Sequence, residues 1–136
     1  MQDRQRVSSG SPWELTVGYS RAVRVGGRVF VAGTAPKWDD GHVDPDPAVQ
    51  AQRCFEIIDE ALSAAGSSMR HVVRSRIYLV AADDFESIGA VHGRFLGDAL
   101  PANTTVVVAA LLDPRWKVEI EVEAVIPSDQ TRDRHG

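Results

Sequence analysis

Apolar residues recur along this chain at two spacings, and each switch between them marks a boundary. Ala22–Val25 and Arg28–Ala32 are rich in β-branched residues and flank Gly26-Gly27, a two-residue loop whose glycines tolerate the positive φ angles of a tight turn. They predict a hairpin, closed by Gly33-Thr34-Ala35-Pro36. The polar stretch Lys37–Pro47, with four Asp, two Pro and Gly41, predicts a loop carrying acid but no ordered metal-ligand spacing. Asp46-Pro47 then supplies a helix cap and a first-turn proline. Ala51, Phe55, Ile58, Leu62 and Ala65 follow at three-four spacing up to Gly66, predicting an amphipathic helix over 48–65.

His71–Ala82 predicts a strand with Val73, Ser75, Ile77, Leu79 and Ala81 on one face and Arg74, Arg76 and Tyr78 on the other. Asp84 is placed to cap a second helix whose stripe is Phe85, Ile88, His92 and Phe95, ending at Gly97. Leu100–Leu111 is a turn feeding a long run of Val and Thr, and its Pro101 forbids continuation of a preceding helix, so a loop-to-strand junction is expected at 101–104. After a turn at Asp113-Pro114-Arg115, residues 117–126 alternate strictly. Val118, Ile120, Val122 and Ala124 form the apolar face and Glu119, Glu121 and Glu123 the other.

The order hairpin, helix, strand, helix, strand, strand is that of an α+β sheet with both helices on one face. Its other face would carry three glutamates, Arg74, Arg76 and Tyr78, with the arginines as natural partners of the acids. A mixed face of this kind suits a symmetric subunit contact, so a ring-closed homo-oligomer is expected.

A chain of 136 residues is one domain by default, expected over 13–127 between a flexible N-terminus, 1–12, and a flexible tail, 128–136. Fifteen basic residues against nineteen acidic ones, net −4, argue against nucleic acid as a partner held by bulk charge. The lone Cys54 cannot form an internal disulfide, and neither a signal peptide nor an apolar membrane span is legible, so a cytoplasmic protein is expected. No metal cluster, phosphate loop or Ser-His-Asp order stands out, and no cofactor is implied.

Five stretches, in this order, resemble the Rid family, also called YjgF or L-PSP: Gly18–Val23, Val31–Pro36, Val72–Tyr78, Pro101–Thr104 and Val118–Glu121. The resemblance spans about 17–126. It implies a chorismate-mutase-like six-stranded mixed sheet with two helices on one face, assembled as a homotrimer with small-molecule clefts between subunits. It further implies cofactor-free hydrolysis of reactive imines and enamines, such as 2-aminoacrylate, to keto acids and ammonia. In the best-characterised group an arginine after the Pro-Ala pair binds the substrate carboxylate, and a final-strand glutamate positions water. Here Asn103 holds the arginine's place, while the glutamate's falls on Glu119, with Glu121 as alternative. An amide offers one weak donor pair where guanidinium offers two charge-assisted bonds, a loss worth roughly 1.5–3 kcal/mol. A less common substrate is therefore implied. The alternatives are a trimeric ligand-binding or protective protein without chemistry and, further off, a ribonuclease.

Each candidate residue has two readings. Asn103 is a cleft donor or a turn residue capping local backbone; Glu119 is a general base or one of an ion-paired row. Tyr19 covers a ligand or packs at a strand entry, and Arg21, two residues on, is a replacement cation or a solvated arginine. Gly33 and Thr34 offer backbone NH groups to an anion or merely end a strand, and Thr105 alternates with Asn103 toward the same side. His92 is a satisfied buried histidine or a titratable cleft group. Cys54 reads as structural.

Overall fold

In the computed structural model, which describes residues 3–128, the chain runs β1 (Arg4–Val7), β2 (Ala22–Val25), β3 (Arg28–Thr34), α1 (Pro47–Ala64), β4 (Val72–Leu79), α2 (Phe85–Leu96), β5 (Ala102–Val107) and β6 (Val118–Val125). The strands form a single six-stranded sheet in the order β1-β2-β3-β6-β4-β5. Only the β4–β5 pair is parallel, with α2 as the crossover that parallel strands require. The expected six-stranded mixed sheet with two helices is therefore the observed one. No helix among the described residues is long and apolar enough to cross a membrane.

The alternation of residues 118–125 becomes the central strand. Val118, Ile120, Val122 and Ala124 are buried beneath α1 and α2, and Glu119, Glu121 and Glu123 lie on the opposite face. There Arg76 Nη1 pairs with Glu121 at 3.3 Å and Glu123 at 3.0 Å, as the charge pattern predicts, and Tyr78 donates to Glu121. Asp46 caps α1 by accepting from the Ala48 amide at 2.8 Å. The helix buries Ala51, Phe55, Ile58 and Leu62 at 0 % exposure, each large side chain contributing roughly 1.5–3 kcal/mol of transfer free energy.

Four expectations are corrected. Residues 4–7, assigned to a flexible terminus, pair antiparallel with β2 from Arg4↔Val25 to Val7↔Ala22. The segment Arg-Gln-Arg-Val has no apolar alternation to announce it, because an edge strand is held by backbone hydrogen bonds that any sequence can make. In β4, Val72 is buried and Val73 exposed, because the register with β6 shifts between Val72 and Arg74 and exchanges the faces at that point. Asp84 makes no side-chain cap; a 3₁₀ turn over Ala82–Asp84 leads into α2, leaving Phe85 half-exposed and making Ile88, Val91 and Leu96 the buried stripe. The strand expected to run to Leu111 ends at Val107, and five of its six residues are exposed, since β5 is the sheet's edge. The expected tail lies outside the described residues from 129 onward.

Candidate functional site

At the end of the sheet where β3 leaves it, the chain encloses a cavity of about 730 Å³ lined by Tyr19, Arg21, Gly33 and Glu119 together with parts of α1 and three loops. Four of the candidate residues thus meet. The opening exists because the β3–β6 register slips between Val31 and Thr34, which frees the backbone at Gly33 from regular pairing. Gly33 has no side chain to give, and Glu119 uses the space: a Cβ there would run into Glu119 Oε2.

Glu119 is half-buried. Loss of water pushes its carboxyl pKa up and Glu121 adds to this, while Arg21 and Lys37 pull it down. Arg21 is not a loose surface cation. Its Nη2 donates to Ala32 O at 2.6 Å, Gly33 O at 2.9 Å and Thr34 Oγ1 at 2.8 Å, clamping the irregular end of β3. Its Nε is buried without a partner, and burial lowers the guanidinium pKa. Thr34 is buried and lies beneath the cavity as part of this clamp, passing its own hydroxyl proton to Ala32 O at 2.8 Å. Above it, Glu14 accepts from Ser8 Oγ at 2.9 Å, from the Ser9 amide at 2.9 Å and from Ser9 Oγ, so the loop over the cavity is folded on a buried carboxylate. These bonds, led by the Ser9 hydroxyl, outweigh burial and lower the Glu14 pKa.

Asn103, Thr105 and His92 fall outside this cavity and form a second cluster. Asn103 Nδ2 donates to Ser75 Oγ at 3.0 Å, Ser75 Oγ lies 2.7 Å from His92 Nε2, and Thr105 Oγ1 donates to Asn103 Oδ1 at 2.8 Å. Asn103 pairs with Ser75 in the β4–β5 register, so its side chain is on the helix-covered side. Glu119 alternates with buried Val118 and Ile120 and is on the other side. Within this chain the two residues do not meet. The expected alternation of Asn103 with Thr105 holds, but both face α2 and not Glu119.

His92 is half-buried, edge-on to Phe55 at 5.9 Å, and burial lowers its pKa below 6.5. The unfolded chain then binds a proton more readily than the folded one, so stability rises with pH through the window just below 6.5 and is lost on acidification. Chemical denaturation at pH 7.5 and 5.5 is expected to show this loss, and His92→Gln to reduce it. An equal pH slope in the variant would contradict the assignment.

Sequence reasoning missed Lys37, Trp38, Arg53 and Trp116 as cavity residues. The available signal was two tryptophans in polar loops, where large aromatic residues have no core to join.

A family model described as endoribonuclease L-PSP matches residues 12–126. SCO2049 of Streptomyces coelicolor is 39% identical over 121 residues, covering 88% of this chain and 90% of that protein. Among solved structures, Rv2704 of Mycobacterium tuberculosis, described as a member of the YjgF/YER057c/UK114 family, superposes with a TM-score of 0.84 at 41% identity, covering 91% of this chain and all of that one. TdcF of E. coli with bound serine superposes with a TM-score of 0.77 at 26% identity over 93% of this chain and 98% of that one.

Proposed function

The chain belongs to the YjgF/L-PSP family, and we propose that it hydrolyses a reactive imine or enamine, or a related carbonyl-nitrogen compound, at the cavity that contains Glu119. The observation that carries this reading is Glu119 itself. A half-buried carboxylate with a raised pKa, set against backbone at Gly33 with open cavity beyond, can accept a proton from an attacking water. Water adds its oxygen to the carbon of the C=N bond and its proton goes to Glu119. The carboxyl passes that proton to nitrogen, giving a carbinolamine; the carboxylate then takes the proton of the new hydroxyl and delivers it to the same nitrogen, so that the C–N bond breaks, ammonia leaves and the carbonyl forms. Tyr19 and the carbonyl-bound Arg21 shape the walls.

The protein works as a homotrimer in this proposal. The exposed edge strand β5 of one subunit brings Asn103 toward the cavity of the next, which joins two groups that one subunit keeps on opposite faces. Leu15 and Leu112, 93% and 95% exposed, are apolar surface that such an assembly would cover. The serine bound by the related TdcF fits a site for small molecules. The net charge of −4 works against a nucleic-acid backbone as substrate.

The test is ammonia release from imines generated in situ, by an amine oxidase for substrates without a carboxylate and by an amino-acid oxidase for those with one. The protein is expected to accelerate release above the spontaneous rate. Asn103→Arg is expected to improve kcat/KM for the imine of alanine about tenfold, the value of a charge-assisted bond to its carboxylate. No acceleration with any imine, together with a ligand that co-purifies intact and rebinds saturably, would establish a binding protein instead.

A further inference from the structure

We propose that the Lys37 ammonium is the anion-binding group of this cavity and that Trp38 and Trp116 select the rest of the ligand, so that the site takes a small carboxylate with a flat, apolar body. The inference deepens the proposed function and rests on its reading of the cavity as a ligand site.

Three cations line the cavity, and two are already engaged. Arg21 is consumed by the carbonyls of Ala32 and Gly33 and by Thr34. Arg53 donates through Nε to Lys37 O at 2.6 Å and pairs through Nη1 with Glu56 at 3.3 Å. Lys37 differs from both. Among the described residues its ammonium has no carboxylate within ion-pairing distance, and it sits 5.7 Å from the centroid of the Trp116 ring. A cation–π contact of this kind holds a charge in place without neutralising it, which an ion pair would do. The Lys37 backbone is pinned by Arg53 and follows buried Pro36, so the stem of the side chain has a fixed origin. Lys37 and Glu119 line the same cavity, and the ammonium is one of the charges that pull the Glu119 pKa down.

The aromatic walls are equally settled. Trp38 packs against His42 with ring centroids 4.9 Å apart and planes tilted by 31°, and His42 Nδ1 is 2.6 Å from Asp40. Trp116 follows Arg115, whose carbonyl is bound by the buried Gln50; Gln50 also holds Asp44 O of the Trp38 loop. Two indole rings fixed before any ligand arrives favour a planar partner, because no side-chain entropy is lost on contact. The volume of about 730 Å³ lies within the ordinary range for organic ligands.

Isothermal titration of the full chain with three probes separates these contributions. 3-Phenylpropionate carries both the carboxylate and the ring, 3-phenylpropanol only the ring, and propionate only the carboxylate. The first is expected to bind saturably and at least about tenfold more tightly than either of the others, the span of one charge-assisted contact. Lys37→Met is expected to remove that advantage while leaving 3-phenylpropanol unchanged, and Lys37→Arg to restore it. Trp38→Leu is expected to weaken both ring-bearing probes and spare propionate. Absence of saturable 3-phenylpropionate binding, or equal affinity in wild type and Lys37→Met, overturns the inference. Imine turnover that is indifferent to Lys37→Met leaves the hydrolytic reading intact while this one falls. Binding as described with no turnover of any imine does the reverse.

Discussion

Glu119→Gln is expected to lower imine turnover by about 10²- to 10⁴-fold, the range a positioned general base contributes. The exchange keeps the shape of the side chain and removes only its capacity to accept a proton, so binding of a carboxylate ligand should persist. The pH dependence follows from the same burial. Glu119 has its pKa raised above 4.5, so on acidification it is protonated earlier than a surface glutamate and turnover falls with it. Its effect on stability has the opposite sign. A carboxyl whose folded pKa is raised favours the folded state while protonated, and that contribution is lost as pH rises from 4.5 through the folded value. At neutral pH, Glu119→Gln is therefore expected to be at least as stable as the wild type while being far less active, the usual signature of a group kept for chemistry at some cost to folding. Gly33→Ala provides a second reading of the same site. The new Cβ meets Glu119 Oε2, the mobile end of a side chain, so the carboxylate swings away and turnover drops with little loss of stability. Full turnover in Glu119→Gln, measured as ammonia release, would remove Glu119 from the mechanism.

The second large effect is expected at Gln50, which lies at 0 % exposure on the first turn of α1. Its Nε2 donates to Asp44 O at 2.8 Å and Arg115 O at 3.0 Å, and its Oε1 accepts from the Lys117 amide at 2.7 Å. One amide thus satisfies three backbone groups from two loops separated by about seventy residues. Gln50→Ala leaves those groups buried without partners and opens a void, costing on the order of 4 kcal/mol. For a domain of this size the melting temperature should fall by about 15 °C. Because the two loops carry Trp38 and Trp116, their fluorescence and the affinity for 3-phenylpropionate should change together with stability. A loss below about 1 kcal/mol in urea denaturation would show that water replaces the amide readily.

Local order was legible where one short stretch contains its own reason. The Gly26-Gly27 hairpin, the Asp46-capped helix with its buried Ala51, Phe55, Ile58 and Leu62, and the alternating strand 118–125 follow from turn chemistry and periodicity. So does the pairing of Arg76 with the glutamate row, since like charges on one face require counter-charges on the neighbouring strand. The stretches that carry the family resemblance are of this local kind as well, which is why the mixed sheet could be expected before any coordinates.

Other features had no local signature. β1 is held by backbone bonds to β2, and the register slips at Val72/Arg74 and Val31/Thr34 depend on what the partner strand offers. Tyr19, Arg21, Gly33 and Glu119 were each named from the sequence, yet only the slip beside Gly33 explains why Glu119 has room. Asn103 shows the converse. Its place after Pro101-Ala102 is plain in the chain, but the parallel pairing of β5 with β4 turns it toward Ser75 and His92, away from Glu119. Lys37, Trp38 and Trp116 went unnoticed because nearly eighty residues separate the first from the last, and no period or motif links them. Most of the elements, the buried faces of α1 and of strand 118–125, and the family could be read from the chain alone, because these rest on interactions between near neighbours or on a pattern repeated along one segment. Tertiary structure alone decided which charged groups are already spent, which cation is left over an aromatic ring, and which candidates share a cavity, because those depend on distances that exist only once the strands have paired.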